Sequence, residues 1–236
     1  MLLTVILSLV TAGVFVARGV IIKLKTRLSG GKIAEDKDKL PFVIFSDHKR
    51  YWNVFEPICD EFEKRGLELK YMTCSPDDPA ISKDYSHITC EFIGEGNKGF
   101  ARLNMMKAYI CLATTPGLDV LQWKRSRDVS WYAHIFHDTG DGILYRMFGL
   151  DYYDAILATG TLQEPNIRKL ESLRNLPAKE VVMVGSTYMD RMHEKSLNYT
   201  RDDDPDRPGT VLLAPSWGDS AILKRFGAEL ISNLVS

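Results

Sequence analysis

The sequence lacks several of the short motifs by which common enzyme classes are recognised. It has no phosphate loop closed by GK[ST], no HExxH helix and no GxSxG elbow. The glycine-rich stretch from Gly94 to Gly99 ends without that lysine, so it is not a Walker A loop. Metalloproteases of the HExxH type and hydrolases of the GxSxG type are therefore not indicated.

Cysteine is scarce and neither sign of charge is in excess. The four cysteines, Cys59, Cys74, Cys90 and Cys111, are widely spaced and form no CxxC pair, which is typical of reduced, buried thiols. The formal net charge is −1, so nothing indicates a nucleic-acid partner, which usually requires a basic surface. The sequence predicts neither a metal site nor a bound cofactor.

Charge is also missing from the N-terminus, where Met1 to Ala17 contains no ionisable side chain. As a helix, residues 1–22 would be about 33 Å long, roughly the thickness of the hydrocarbon core of a bilayer. Basic residues follow from Lys23, which predicts that the rest of the chain lies on the cytoplasmic face of the cell membrane. We expect a membrane anchor over 1–22 and a linker over 23–40. A signal peptide and a buried helix are the alternatives.

Short apolar runs then alternate with helical patterns. Because these runs are apolar throughout, they predict strands buried on both faces, and the alternation predicts an α/β fold with a doubly wound parallel sheet. We expect a Rossmann-like domain over 41–195. The predicted strands are 41–45, 67–74, 88–93, 108–114, 129–136, 155–159 and 181–185, and the predicted helices are 54–65, 101–106 and 162–173.

A second boundary is predicted at the polar segment 196–209, which we interpret as a linker. Residues 210–215 then predict a strand, and a helix capped by Ser220 is expected over 220–235. One strand and one helix cannot bury a core of their own. We therefore expect 210–236 to be the start of a second, truncated Rossmann-like domain.

The strongest candidate for chemistry is His137, which comes directly after an apolar strand. The carboxyl ends of strands are where ligands bind in open α/β sheets, and a histidine there can act as a general base. Asp138, Thr139 and Gly140 follow in a loop that could bind substrate or simply form a turn. His134 should point to the opposite face of the strand, where a satisfied core histidine is the more common role.

Other candidate substrate-binding residues end two further strands. Thr114, Thr115 and Gly117 offer hydroxyls and a turn at the same edge, although Pro-Gly is also ordinary turn chemistry. Gly185 to Thr187 (Gly185, Ser186 and Thr187) could present N–H groups to a phosphate or could cap a helix. The loop 46–52 mixes cations and aromatics, which suits an anionic ligand or a solvated surface.

Several of these segments together resemble the CDP-glycerol glycerophosphotransferase family of teichoic-acid-type polymer synthesis. The resemblance covers about 41–234 and is one of pattern. It is carried by residues 112–117, 124–126, 132–141, 151–157, 164–171 and 184–190. It implies a GT-B fold, in which two Rossmann-like domains face a cleft. In that family a strand-end histidine is followed by Gly-x-Pro. Here only His137 matches, and Asp138-Thr139-Gly140 replaces the rest.

The resemblance implies a membrane-associated transferase in cell-wall polymer synthesis. It would move glycerol phosphate, or a related polyol phosphate, from CDP-glycerol or a similar CDP-polyol donor to the hydroxyl of a lipid-linked acceptor, with His137 as the base. The main nucleotide contacts of the family would lie beyond residue 236, so residues 1–236 alone are expected to bind CDP-glycerol weakly and to have no transferase activity. The alternatives are a GT-B glycosyltransferase, a sugar-nucleotide epimerase, and a non-catalytic, membrane-tethered binding protein.

Overall fold

A seven-stranded parallel sheet forms the centre of the protein. The computed structural model describes residues 38–140, 142, 145, 147–200, 212–215 and 218–235. The strands are β1 (Leu40–Ser46), β2 (Leu69–Thr73), β3 (Ile88–Phe92), β4 (Ala108–Ala113), β5 (Val129–Ile135), β6 (Ala155–Ala158) and β7 (Glu180–Met183). The helices are α1 (Trp52–Lys64), α2 (Asn97–Asn104), α3 (Gln163–Arg174), α4 (Thr187–Leu197) and α5 (Ile222–Val235).

The strand order is β3-β2-β1-β4-β5-β6-β7, which is a Rossmann-like arrangement. The chain winds outward from β1 to β3, crosses back to lay β4 beside β1, and then winds outward in the other direction. Phe45 at the end of β1 lies opposite Ala113 at the end of β4. The carboxyl ends of β1 and β4 therefore meet at the point where the winding direction changes.

Both faces of the sheet are covered, as the apolar strands predict. Alternate residues of β1 belong to different cores: Val43 and Phe45 to one, Ile44 to the other. Helix α1 packs on the Ile44 side through residues such as Phe55, which is fully buried. Helices α2 and α3 contribute Leu103 and Ile167 to the other core. The α/β class and the doubly wound parallel sheet are thus confirmed.

The predicted strands agree with the structure to within about two residues, but one helix was misplaced. The sequence predicted a helix over 101–106 after a glycine-rich loop, whereas α2 spans Asn97–Asn104. Gly99 lies inside the first turn of α2. A side chain at this position would collide with the Gly94 carbonyl oxygen, which lies 2.6 Å from where the Cβ would be. Close packing, rather than flexibility, thus explains that glycine.

The chain divides into two compact units, the first ending at Lys195 and the second beginning at Ser196. In the second unit, the described part of the predicted 210–215 strand, residues 212–215, is not a strand. No described strand pairs with it, and Leu212 is 87% exposed. The helix begins at Ile222 rather than Ser220, and Gly227 interrupts it with φ 55°. The predicted opening strand of a second Rossmann-like domain was therefore wrong over 212–215.

The predicted membrane anchor (1–22) lies outside the described residues, as does most of the 23–40 linker. Within the part of the chain that the structure describes, no helix is both long enough and apolar enough to cross a bilayer.

Candidate functional site

The carboxyl edge of the sheet at β1, β4 and β5 brings together polar residues from three separate segments. Asp47 follows β1, Thr114 and Thr115 follow β4, and His137 follows β5 after one intervening residue. In doubly wound sheets the crevice beside such a change of winding direction is the usual place for a ligand. The fold therefore places His137 at the carboxyl edge of the sheet, where the sequence predicted it.

The imidazole of His137 is held on its Nδ1 side by two hydroxyl groups. Thr114 Oγ1 lies 3.2 Å from Nδ1, and Tyr145 Oη lies 3.4 Å from the same nitrogen. On the other side of the ring, Nε2 lies 3.5 Å from Asp138 Oδ2. The side chain of His137 keeps 28% of its surface exposed, so one side of the ring is fixed and the other can reach a ligand.

This arrangement suits proton transfer at Nε2. When Nδ1 carries the proton it can donate to Thr114 Oγ1, and the lone pair on Nε2 is then free to accept a proton. The carboxylate of Asp138 lies close enough to stabilise the imidazolium that results. The Asp138 side chain is 56% exposed, so solvent weakens its effect.

An aromatic and a cationic group extend the site toward the end of β1. The ring of Tyr51 lies 4.9 Å from the ring of His137, measured between centroids. The guanidinium of Arg50 lies over the ring of Tyr51, 4.9 Å from its centroid. Burial raises the pKa of Tyr51, and Asp47 raises it further, so its hydroxyl stays protonated at neutral pH. The guanidinium of Arg50 is planar and permanently charged, which suits an anionic ligand.

Buried polar atoms without a partner also gather at this edge. Among the described residues, four such atoms lack a hydrogen bond: Asp47 Oδ1, Thr115 Oγ1, Trp123 Nε1 and His134 Nδ1. Leaving such an atom unpaired costs about 1–3 kcal/mol, so native structures contain few of them. A cluster of them at a ligand-binding edge favours a site that a ligand completes.

Tyr153 lies beside three of the four residues that carry these atoms. Its hydroxyl donates to the Thr115 carbonyl oxygen at 2.5 Å, and its ring lies 5.1 Å from that of His134 and 6.3 Å from that of Trp123. Thr115, Trp123 and His134 therefore lie around Tyr153.

The loop after His137 is ordered by two side chains. Asp138 Oδ1 accepts a hydrogen bond from Gly140 N at 2.9 Å, which closes a tight turn around exposed Thr139. Gln163, at the start of α3, is buried; its amide donates to the Gly140 carbonyl oxygen and to Thr159 Oγ1. The sequence-predicted Asp138, Thr139 and Gly140 therefore lie beside His137, and α3 fixes their backbone.

We expect Gln163→Leu to lower the free energy of unfolding by about 1–3 kcal/mol, because the buried Gln163 side chain loses its hydrogen bonds to the Gly140 carbonyl, the Thr159 N–H and the Thr159 hydroxyl, each with a net contribution of about 0.5–1.5 kcal/mol. Urea unfolding measures it. Asn166→Ala is the matched control on the same helix: its exposed amide bonds only to the Leu162 carbonyl, and we expect a change within about 0.5 kcal/mol. Equal effects of the two variants would show that Gln163 does not hold the loop.

His134 lies in the core, as the sequence favoured, but its Nδ1 has no hydrogen-bond partner among the described residues. It is fully buried, its Nε2 lies 3.3 Å from Tyr145 Oη, and its ring contacts Phe136 and Tyr153 edge-on. Burial, with a smaller effect from the neighbouring His137, lowers the pKa of His134 to about 3. It is therefore neutral at any physiological pH and cannot exchange a proton with a substrate.

The remaining predicted residues of β4 lie at the same edge. Gly117 has φ 90°, which favours glycine, and its N–H donates to the Gly149 carbonyl oxygen at 2.8 Å. Thr115 keeps an unpaired hydroxyl, as described above, while Thr114 is bonded to His137. All three residues predicted here are part of the site or of its wall.

The prediction that Gly185, Ser186 and Thr187 bind substrate is not supported by their contacts. They follow β7, the outermost strand, which two strands separate from β4. Thr187 Oγ1 donates to the Val54 carbonyl oxygen at 2.9 Å, and Ser186 Oγ accepts from Met189 N in the first turn of α4. The Ser186 hydroxyl thus caps the start of α4, which is the alternative that the sequence left open, and the Thr187 hydroxyl ties α4 to α1.

The stretch Gly94–Gly99 has the spacing G-x-G-x-x-G between β3 and α2, which sequence reasoning overlooked. In a dinucleotide-binding unit the strand before such a turn lies beside the strand after the helix. Here β1 and β2 lie between β3 and β4. Positive φ at Gly94 and Gly96, together with the close packing of Gly99, accounts for the three glycines.

Sequence reasoning did not single out Tyr145 or Tyr153 as members of the site, and it left the roles of Asp47 and Tyr51 open. Asp47 and Tyr51 belong to the 46–52 loop, which mixes charges and aromatics and left a ligand or solvent equally open. Tyr145 and Tyr153 carry no sequence signal, because only the folded chain brings them to the ends of β4 and β5. Among the described residues, no group of histidines, cysteines and carboxylates is arranged to hold a metal ion.

Comparisons of the chain with models of known protein families, with curated protein sequences and with solved structures found no match. The fold and the geometry of the edge therefore carry the functional argument. They define a Rossmann-like α/β protein with a histidine-centred polar site at the carboxyl edge of its sheet.

Proposed function

We propose that this protein is a transferase that moves glycerol phosphate, or a related polyol phosphate, from a CDP-activated donor to the hydroxyl of a lipid-linked acceptor. The observation that carries the proposal is the position of His137. It lies at the ligand-binding edge, with Nδ1 beside two hydroxyls and Nε2 on the side of Asp138. The edge would then be the acceptor side of a GT-B enzyme, as the family resemblance implies.

In this reaction Nε2 of His137 takes the proton of the acceptor hydroxyl. The freed oxygen forms a bond to the phosphorus next to the polyol, the bond from that phosphorus to the bridging oxygen breaks, and CMP leaves. The new product is a phosphodiester between acceptor and polyol. Catalysis of phosphoryl transfer depends mostly on positioning and on charge stabilisation. The fixed ring of His137 supplies positioning at the acceptor.

Charge stabilisation has a candidate in Arg50. Its guanidinium packs over Tyr51, whose ring is in turn next to His137. A planar, permanently charged guanidinium suits phosphate oxygens. The other cation of this loop, Lys49, is paired with Asp77, so Arg50 is the better placed of the two.

The proposal places the enzyme at the cytoplasmic face of the cell membrane. Its support is the apolar segment 1–22, which carries no charge up to Ala17, and the basic residues after it; both lie outside the described residues. A lipid-linked acceptor would be presented at that surface. The proposed function requires neither a nucleic acid nor a bound cofactor.

The test is an assay of the intact protein with CDP-glycerol labelled in its glycerol phosphate and a lipid-linked hydroxyl acceptor. We expect CMP and labelled acceptor to appear in equal amounts, with CDP-ribitol as a second donor arm. Consumption of UDP-glucose instead, with transfer of the sugar, would establish a glycosyltransferase and refute the proposal. Epimerisation of a sugar nucleotide without any acceptor, or binding of CDP-glycerol without turnover, would also contradict it.

A further inference from the structure

A groove of about 310 Å³ follows helix α3. Much of its wall is apolar and consists of Leu150, Ile167, Leu170 and Leu173. Lys179, the residue directly before β7, also lines the groove. An amine-bearing side chain therefore borders an apolar groove.

Lys179 is only 5% exposed, yet its amine has no partner. The backbone N–H of Lys179 donates to Glu171 Oε1, and its carbonyl oxygen accepts from Arg168. Within the described part of the chain, Nζ makes neither a hydrogen bond nor an ion pair. Nζ is also absent from the described unbonded atoms that are sealed from solvent. The amine is therefore both unpaired and accessible, and Lys179 borders a second cavity of about 550 Å³ as well.

Three carboxylates act on this amine, and each already has an arginine partner: Asp151 with Arg174, Glu171 with Arg168 and Asp154 with Arg125. Burial lowers the pKa of Lys179, the three carboxylates raise it by less, and Arg168 lowers it slightly. The net direction is downward. More of this amine is therefore uncharged near neutral pH than in an exposed lysine.

An uncharged lysine amine is a nucleophile toward carbonyl carbon. The product of that reaction also suits the surroundings better than the free ammonium does. An ammonium has three N–H groups to satisfy, whereas a protonated imine has one. The nearby carboxylates stabilise the positive charge that the imine retains.

From this arrangement we infer that Lys179 forms a reversible imine with an aliphatic aldehyde whose chain lies in the groove along α3. The lone pair of Nζ attacks the carbonyl carbon. The carbonyl oxygen takes one proton from the nitrogen and one from solvent and leaves as water. A protonated C=N bond then joins ligand and lysine, and nothing is oxidised or reduced.

The dimensions and charges of the groove define the ligand further. Its volume is about twice the roughly 150 Å³ of an apolar cavity that holds benzene, so it suits a chain of medium length such as that of octanal. Lys169 and Arg174 also line it, but Arg174 is paired with Asp151, and the three carboxylates disfavour an anion beside Lys179. The site lies at the amino ends of β6 and β7, away from His137, and goes beyond the proposed transfer reaction.

The experiment incubates the full chain with octanal and cyanoborohydride, which reduces an imine to a stable amine. Peptide mass spectrometry then gives the fraction of each lysine that is modified. Lys169 is the matched control, because it lines the same groove but is exposed. Propanal is the short-chain probe. Octanol and octanoate are added as neutral and anionic competitors.

At pH 7 we expect Lys179 to be modified about tenfold faster than Lys169, and in concentrated urea both should react equally. Octanal should modify Lys179 at a concentration at least about 30-fold lower than propanal, because each buried methylene favours binding several-fold. Octanol should protect Lys179, whereas octanoate should not. Lys169→Met should leave the reaction at Lys179 unchanged.

Lys179→Met keeps the length of the side chain without the amine, so the fast phase of modification should disappear while circular dichroism stays unchanged. Equal modification of Lys179 and Lys169 in the folded, unaltered chain would overturn the inference, whether or not the variant folds. Equal concentrations of octanal and propanal would also overturn it. Protection by octanoate as good as that by octanol would show an anion site instead. None of these results depends on turnover, so a failed transferase assay leaves them unaffected.

Discussion

Replacement of His137 by alanine is expected to lower turnover with CDP-glycerol by about 10²- to 10⁴-fold, the usual contribution of a general base. The imidazole of His137 is fixed at Nδ1 by the Thr114 hydroxyl, and its Nε2 lies beside the exposed carboxylate of Asp138. Tyr145 cannot replace the lost base, because burial raises the pKa of its partly buried hydroxyl well above the usual range. Initial rates of CMP release measure the effect.

The matched control is His87→Ala. His87 is also partly exposed and also lies beside a carboxylate, that of Glu63, but it belongs to the β3 side of the sheet. We expect its turnover to equal that of the unaltered protein. If His137→Ala and His87→Ala gave the same mild loss, His137 would have no special role. Urea unfolding of both variants separates a loss of activity from a loss of fold.

Acid should destabilise the protein through His134. Burial lowers the pKa of His134 in the folded protein to about 3, below the value of about 6.5 expected when the chain is unfolded. Between these values the unfolded chain binds a proton that the folded chain does not. The contribution of neutral His134 to the free energy of unfolding is therefore fully present above about pH 6.5. It is lost as the pH falls toward 3, by about 1.4 kcal/mol for each pH unit.

The measurement is the free energy of unfolding in urea at pH 7.5, 5.5 and 4.5. We expect His134 to account for a loss of about 1.4 kcal/mol between the first two values and of about the same again by the third. His134→Phe should remove this part of the slope, because phenylalanine binds no proton, whereas His137→Ala should keep it. An unchanged slope in His134→Phe would show that another group is responsible.

Much of the fold could be predicted from the sequence, because each buried strand is a short apolar run that stands out from its surroundings. Phe42 to Phe45, for example, has no polar residue, and it forms the body of β1. The strand order could not be predicted in this way, since it depends on contacts between distant segments. Only that order shows that β1 and β4 form the crevice while β7 lies at the margin.

The candidate site was predicted in part for the same reason. Strand ends are visible in the sequence, so His137 and Thr114 could be proposed as site residues. The structure places Thr114 Oγ1 3.2 Å from His137 Nδ1. Gly185 to Thr187 also follow a strand, but that strand is the outermost one. The contacts of Tyr145 with both histidines depend on the course of a long loop, which no local pattern encodes.

The order of strands also governs how the sheet can be assembled in time. β2 pairs with β1, β3 with β2, β4 with β1, and each later strand with the one before it. Every strand after β1 thus finds a hydrogen-bonding neighbour already synthesised when it leaves the ribosome. Asp47, Thr114 and His137 follow β1, β4 and β5. These three strands are synthesised before β6 and β7.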